Sequence, residues 1–322
     1  MNARVILATS ASVAIAAFTF LTLSARGVEA DEKNPTEIGL VDWNRDLDAA
    51  LAESQARGKP VLVLFQEVPG CAGCQKFGRE VLSEPLLVEA IEDLFVPVVV
   101  FNNRSSGPDK KILQRFNEPA WNYQVVRFLD SSGRDIIARK EGVWSVHGIA
   151  SRMIEALEKS QQNVPNYLRT VVATHDRSGQ AQVAFAMHCF WTGEYRLGAI
   201  DGVIATEAGW IDGREVTLVR YDRNRLGIET LAKRAAKARC ADVVYTPEGR
   251  GLAGLTGGTL DASYRPASES DQKRQINSWT AIRQLPGVNA MQLTKINSLA
   301  PKDRVAALSW LSPRQRERLA KK

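Results

Sequence analysis

The sequence predicts an α/β protein made of two units. Two apolar runs, Val61-Leu62-Val63-Leu64-Phe65 and Val183-Ala184-Phe185-Ala186-Met187, are short and continuous, as buried strands are. Each run leads to cysteine and then to a segment with helical spacing. Between the two units, residues 161–180 are polar and contain Pro165 and Gly179, the composition of a linker. The chain has 322 residues, enough for two ordinary domains.

Residues 1–30 read as a signal peptide or an N-terminal anchor. Asn2-Ala3-Arg4 gives a positive start, residues 5–23 are apolar without a charge, and Val28-Glu29-Ala30 supplies an A-x-A-like cleavage site. The apolar stretch also reaches the length of a membrane span, so an uncleaved anchor stays open as the alternative. Either way the expected location is periplasmic or secreted, where disulfides persist. Membrane contact is expected only if the segment stays uncleaved.

Residues 36–160 form the first unit. Residues 47–53 have helical spacing and stop before Gly58-Lys59-Pro60. Residues 61–65 are a strand, and a turn at Pro69-Gly70 leads into a helix through Lys76, Phe77, Val81 and Leu82. A helix over residues 86–93 precedes a strand over 96–101 and a loop over 102–108. Residues 125–129 are a strand that turns at Asp130-Ser131-Ser132-Gly133 and pairs with 136–138. Residues 149–157 are a helix.

The second unit covers residues 181–322. It runs as strand, cysteine turn, helix, a strand at 216–219 and a helix at 228–238. Residues 249–265 are glycine-rich and expected to form a surface loop, and residues 271–322 are a helical C-terminal extension. The net charge of +6 is partly carried by Arg314, Arg316, Arg318, Lys321 and Lys322. Aromatics are not interleaved with these, so no nucleic-acid partner is expected.

The chemistry rests on four cysteines, Cys71, Cys74, Cys189 and Cys240. A C-x-x-C between a strand and a helix sets the first sulfur at the helix N-terminus, where backbone N–H groups and the dipole favour a thiolate. The second sulfur lies one turn later, within reach for a disulfide, so Cys71 and Cys74 have the arrangement of thiol–disulfide exchange. A structural disulfide is the alternative. A second C-x-x-C is absent and no histidine has ligand spacing, so neither a metal nor another cofactor is expected. The element order over residues 36–160 resembles the thioredoxin fold, and Val68-Pro69-Gly70-Cys71-Ala72-Gly73-Cys74 is similar to a bacterial thioredoxin-like group. Where thioredoxins place a cis-proline, before the strand at 125–129, this chain has Gln124.

Cys189 has no cysteine near it in sequence. It ends one apolar run and precedes Phe190-Trp191, with Glu194 three residues on. This segment resembles the A-type peptide methionine sulfoxide reductases, marked by Gly-Cys-Phe-Trp-Gly. The likeness extends to Ala199-Ile200-Asp201-Gly202-Val203-Ile204-Ala205-Thr206 with Gly209-Trp210, and to Gly213-Arg214-Glu215 with Val219-Arg220-Tyr221-Asp222. His188 and Thr192 replace the two flanking glycines, and Trp210 stands at a tyrosine position. The resemblance implies an α+β methionine-sulfoxide-reductase-like domain over residues 181–322. It implies that Cys189 attacks the sulfoxide sulfur, that Glu215 protonates the oxygen, and that Phe190, Trp191 and Trp210 bind the substrate. Cys240 is the in-domain candidate for the second thiol, with Cys71 and Cys74 as reductant.

The expected function is therefore an exported reductase of methionine sulfoxide in proteins or peptides, drawing electrons from a thiol donor. The alternative is a thiol–disulfide oxidoreductase whose second domain only binds client proteins. A redox sensor switched at Cys71 and Cys74 is a third reading.

Overall fold

A strand that is apolar at every position has to be covered on both faces. The computed structural model describes residues 34–121, 124–261 and 263–321. The leader over residues 1–30 lies outside them. Of the first unit, α1 (Leu47–Arg57), β1 (Val61–Gln66), α2 (Ala72–Glu80) and α3 (Pro85–Leu94) come first. They are followed by β2 (Val96–Phe101), α4 (Gly107–Phe116), β3 (Val125–Leu129) and α5 (Val146–Lys159). The sheet order is β2-β1-β3, with β1 parallel to β2 and antiparallel to β3. All six residues of β1 are buried. Leu62 and Leu64 face a core with Phe77, Leu86, Ile149 and Met153, while Val61, Val63 and Phe65 face Leu47, Ala50 and Leu113. The first unit is a thioredoxin-like domain, as its sequence predicts.

Local chemistry sets several boundaries. The Asp46 side chain accepts the N–H groups of Asp48 and Ala49 to open α1, and Gly58 closes it in the left-handed region at φ 66°. Pro85 sits in the first turn of α3, where its missing N–H costs nothing. Two expectations need correction. Helix α4 occupies part of what reads as a loop over 102–108 and runs on to Phe116. The return arm at 136–138 is not a strand: Ile136 N–H donates to the Phe128 carbonyl at 2.8 Å, and isolated bridges flank it at Asp135 to Leu129 and Lys140 to Val126.

The stretch 161–180 is not a bare linker. It contains α6 (Asn166–His175), whose Tyr167, Leu168 and Val171 join the core of the thioredoxin-like domain. Burial of this apolar edge, at spacing i, i+1, i+4, outweighs the polar composition around it.

The second unit contains β4 (Gln180–Ala186), α7 (Phe190–Gly198), β5 (Val203–Ile211), β6 (Arg214–Asp222), α8 (Ile228–Lys237) and β7 (Val243–Thr246). It continues with β8 (Thr256–Thr259), β9 (Arg265–Pro266), α9 (Thr280–Arg283), α10 (Ala290–Leu299), α11 (Arg304–Leu308) and α12 (Pro313–Ala320). Its six-stranded sheet has the order β8-β7-β4-β6-β5-β9. Helices α7 and α8 bury Leu197, Leu231, Ala232 and Ala235 against Val183, Phe185 and Val219. The glycine-rich segment 249–265, expected as a surface loop, instead supplies β8 and β9. Gly258 lies against the Tyr245 ring, where an added Cβ would come within 2.6 Å, so only glycine lets β8 pair with β7.

The C-terminal helices return to the first unit. Asn289 and Ser312 each open a helix with a complete capping box, worth about 1 kcal/mol per cap. The Asn289 amide donates to Thr170 Oγ1 at 2.8 Å, and Ser312 Oγ donates to Glu89 Oε2 at 2.7 Å. Arg314 pairs with Glu92 at 2.6 Å. The described residues from 34 onward accordingly pack as one compact unit. No helix among the described residues is long and apolar enough to cross a membrane.

Candidate functional site

The first centre is the junction of β1 and α2. Cys71 is the N-cap of α2, and its sulfur accepts the backbone N–H of Cys74 at 3.4 Å. The two sulfurs are 3.1 Å apart. Cys71 is exposed and Cys74 is fully buried. Hydrogen bonds from the Cys74 side chain and backbone hold the Cys71 thiol below its ordinary value. Burial pushes Cys74 up to about 12, and its hydrogen bond to Cys71 adds to the rise. One sulfur is thus exposed with its thiolate form favoured, and the other is buried behind it with its thiol form favoured.

The surrounding shell fixes the loop. Glu37 Oε1 accepts the Gly70 N–H at 2.9 Å, and the Gln66 amide donates to the carbonyls of Glu37 and Cys74. Asn103 and Arg104 donate to the carbonyls of Pro69 and Val68. Trp144, half exposed, packs edge-on against Phe77 and touches the Gly73 position. Gln124, at the thioredoxin cis-proline place, is fully buried at φ 35°. Its side-chain amide has no hydrogen-bond partner among the described residues.

The second centre is built where α7 begins. Cys189 is the N-cap residue of α7 and is half-buried. Glu215 lies on β6 opposite Trp210 of β5, and its Oε2 accepts the Phe190 N–H at 2.8 Å. The carboxylate therefore sits at the same helix N-terminus as the Cys189 sulfur. The Phe190 ring meets Trp210 edge-on at 5.4 Å and Trp191 at 5.9 Å, forming an apolar wall. Thr217 Oγ1 donates to the Phe190 carbonyl at 3.2 Å. A side chain at Gly193 would collide with Thr217 and Met187, so this glycine lets α7 lie on the sheet.

Of the residues singled out in sequence, Cys71 meets Cys74, and Glu215, Phe190, Trp191 and Trp210 gather beside Cys189. Cys240 is fully buried at the end of α8, with its sulfur 3.4 Å from the Ala238 carbonyl and 3.9 Å from that of Thr192. Burial raises its thiol, and a thiolate at Cys189 would act in the same direction. Glu194 faces away from this centre. It is buried in an ion pair with Lys273 at 2.5 Å and accepts the Lys273 N–H at 2.7 Å. Sequence reasoning missed Lys273, and it missed Arg274, whose guanidinium lies 4.9 Å over the Trp191 ring. It also missed Glu67, which the fold sets beside both sulfurs of the first centre. No local motif marks these three residues.

A family model described as thioredoxin-like, Thioredoxin_7, matches residues 42–130. That span covers β1, the C-x-x-C and the sheet through β3. No curated protein matches the chain. Among solved structures, one titled DsbH oxidoreductase aligns at 17% identity with a TM-score of 0.32. The alignment covers 42% of this chain and 95% of the other.

Proposed function

We propose that the protein is a thiol–disulfide oxidoreductase acting through Cys71 and Cys74 outside the cytosol. The observation that carries this reading is the 3.1 Å approach of an exposed, helix-capping sulfur to a buried one. In the reducing direction the Cys71 thiolate attacks a client disulfide and releases one client thiolate, leaving a mixed disulfide. Cys74 loses its proton and displaces the second client sulfur. Two electrons pass to the client, and the Cys71–Cys74 disulfide remains. Free-thiol titration across a glutathione redox series tests the reading. It should show a single two-electron transition that Cys71→Ser abolishes, and a pair that stays reduced throughout would overturn it.

A second activity, methionine sulfoxide reduction at Cys189, is favoured by one contact, the Glu215 carboxylate on the Phe190 N–H. The Cys189 thiolate attacks the sulfoxide sulfur while Glu215 supplies a proton to the departing oxygen. The products are the thioether and a Cys189 sulfenic acid. A second thiol condenses with that sulfenic acid, releasing water and forming a disulfide. The Cys71–Cys74 dithiol, or Cys240 after exposure, provides it. Turnover of a methionine sulfoxide peptide with dithiothreitol tests this activity. No product above a Cys189→Ser control would leave the domain as a client-binding module.

A further inference from the structure

We propose that Glu67, Cys71 and Cys74 together bind a thiophilic divalent cation of the zinc class when the cysteine pair is reduced. One ligand atom from each of the three side chains lies within 4.8 Å of the other two. Two thiolates and a carboxylate are a zinc donor set, and three protein ligands leave the fourth tetrahedral position to water. Glu67 is half-buried, beside the exposed Cys71 and the buried Cys74.

The loop geometry is what brings the carboxylate in. A Cβ at Gly70 would collide with the Glu67 carbonyl and come within 2.7 Å of the Cys74 Cβ, so the loop folds back onto the pair only because residue 70 is glycine. Asn103 Oδ1 accepts the Val68 N–H at 3.4 Å, and Arg104 donates to the Val68 carbonyl at 3.1 Å, which holds the residue next to Glu67. Exposed Cys71 gives the entry path, and buried Cys74 closes the inner side. Sequence spacing offered two sulfurs and no metal. The third donor comes from the fold.

Binding forms two S–metal bonds and one O–metal bond, sends the thiol protons to solvent, and moves no electrons. Oxidation of the pair removes both sulfur donors, so cation and client compete for one dithiol. That competition rests on the pair being reversible, as proposed above.

Cobalt(II) titration of the reduced full-length protein, read by sulfur-to-cobalt charge transfer and followed by zinc displacement, tests the site. One equivalent should bind, with no band in the oxidised protein or in Cys71→Ser and Cys74→Ser. Glu67→Gln should bind at least about tenfold more weakly, no less than the loss typical of an outer-shell partner. Unchanged affinity in Glu67→Gln, or a band that survives in the double cysteine variant, overturns the proposal. Metal-free thiol titration of the same samples separates the two readings. A pair that forms its disulfide but gives no cobalt band overturns the metal site alone. One that binds cobalt yet never forms a disulfide supports the site and overturns the redox reading.

Discussion

The Glu215 carboxylate accepts the Phe190 N–H at 2.8 Å, which puts an acid and the Cys189 sulfur at one helix N-terminus although 26 positions separate them in sequence. An antiparallel β5–β6 pair carrying Trp210 opposite Glu215 makes this possible. Acid, sulfur and aromatic wall therefore depend on one strand register, and a one-residue slip would turn Glu215 to the other face.

Replacing Glu215 with Gln keeps an acceptor for the Phe190 N–H and removes the carboxyl group that the proposed sulfoxide chemistry uses. Sulfoxide reduction should slow by about 10²–10⁴, the range of a general acid. Cys189→Ser should abolish it, while Cys240→Ser should leave the first turnover intact. Single-turnover kinetics with a sulfoxide peptide checks all three. A Glu215→Gln rate within about twofold of the parent would remove the acid role.

The parts of this arrangement that were legible in sequence are local ones. Cys71 and Cys74 announce themselves because strand, turn and helix start lie within one short segment, and β1 is apolar at every position. Glu215 and Trp210 were reached through motif resemblance, and spacing alone would not have paired them. Lys273 and Lys295 were invisible because their partners lie 79 and 97 residues away. Helix α6 was hidden by its surroundings, since Pro165 and Gly179 suggest a linker while Tyr167, Leu168 and Val171 need a core. Helix α4 had a start signal in Pro108, a proline suited to a first turn, next to the polar run Asn102-Asn103-Arg104-Ser105-Ser106-Gly107 that suggested a loop.

The two sulfurs of the first centre should differ in reactivity. Cys74 is pushed up to about 12 and Cys71 is held below its ordinary value, so their thiolate fractions at neutral pH differ by on the order of 10³ or more. Iodoacetamide labelling of the reduced protein, read by peptide mass spectrometry, should modify Cys71 first and leave Cys74 untouched until unfolding. Equal labelling of both would contradict the assignment of nucleophile and buried thiol.

The Lys273–Glu194 pair ties the C-terminal segment to α7. Both groups are buried, and Lys273 Nζ also donates to the Thr206 carbonyl. Lys273→Met would leave a buried carboxylate uncompensated, a loss of about 3–5 kcal/mol. Adding Glu194→Leu should recover most of it, since two apolar groups replace the pair. Urea denaturation of the three variants checks this. A double variant no more stable than Lys273→Met would show that the site does not repack around apolar side chains.

Lys295 makes stability depend on pH at the alkaline end. Its ammonium donates to the carbonyls of Gly198 and Ile200 at 2.9 and 2.8 Å, at the C-terminal end of the helix that begins beside Cys189. Burial lowers its pKa from 10.5 to about 8, with Asp201 partly opposing the shift. Below pH about 8 the lysine is charged in both folded and unfolded chains, and above about 10.5 it is neutral in both. Between these limits the unfolded chain holds more protons, so this group makes stability rise with pH, by about 3 kcal/mol at most. Lys295→Met removes the titration along with the two hydrogen bonds. The stability difference between parent and Lys295→Met should therefore widen in the parent's favour from pH 8 to pH 10.5. Urea midpoints measured across that interval read the difference directly, and parallel curves for the two proteins would show that Lys295 keeps its proton in the folded state.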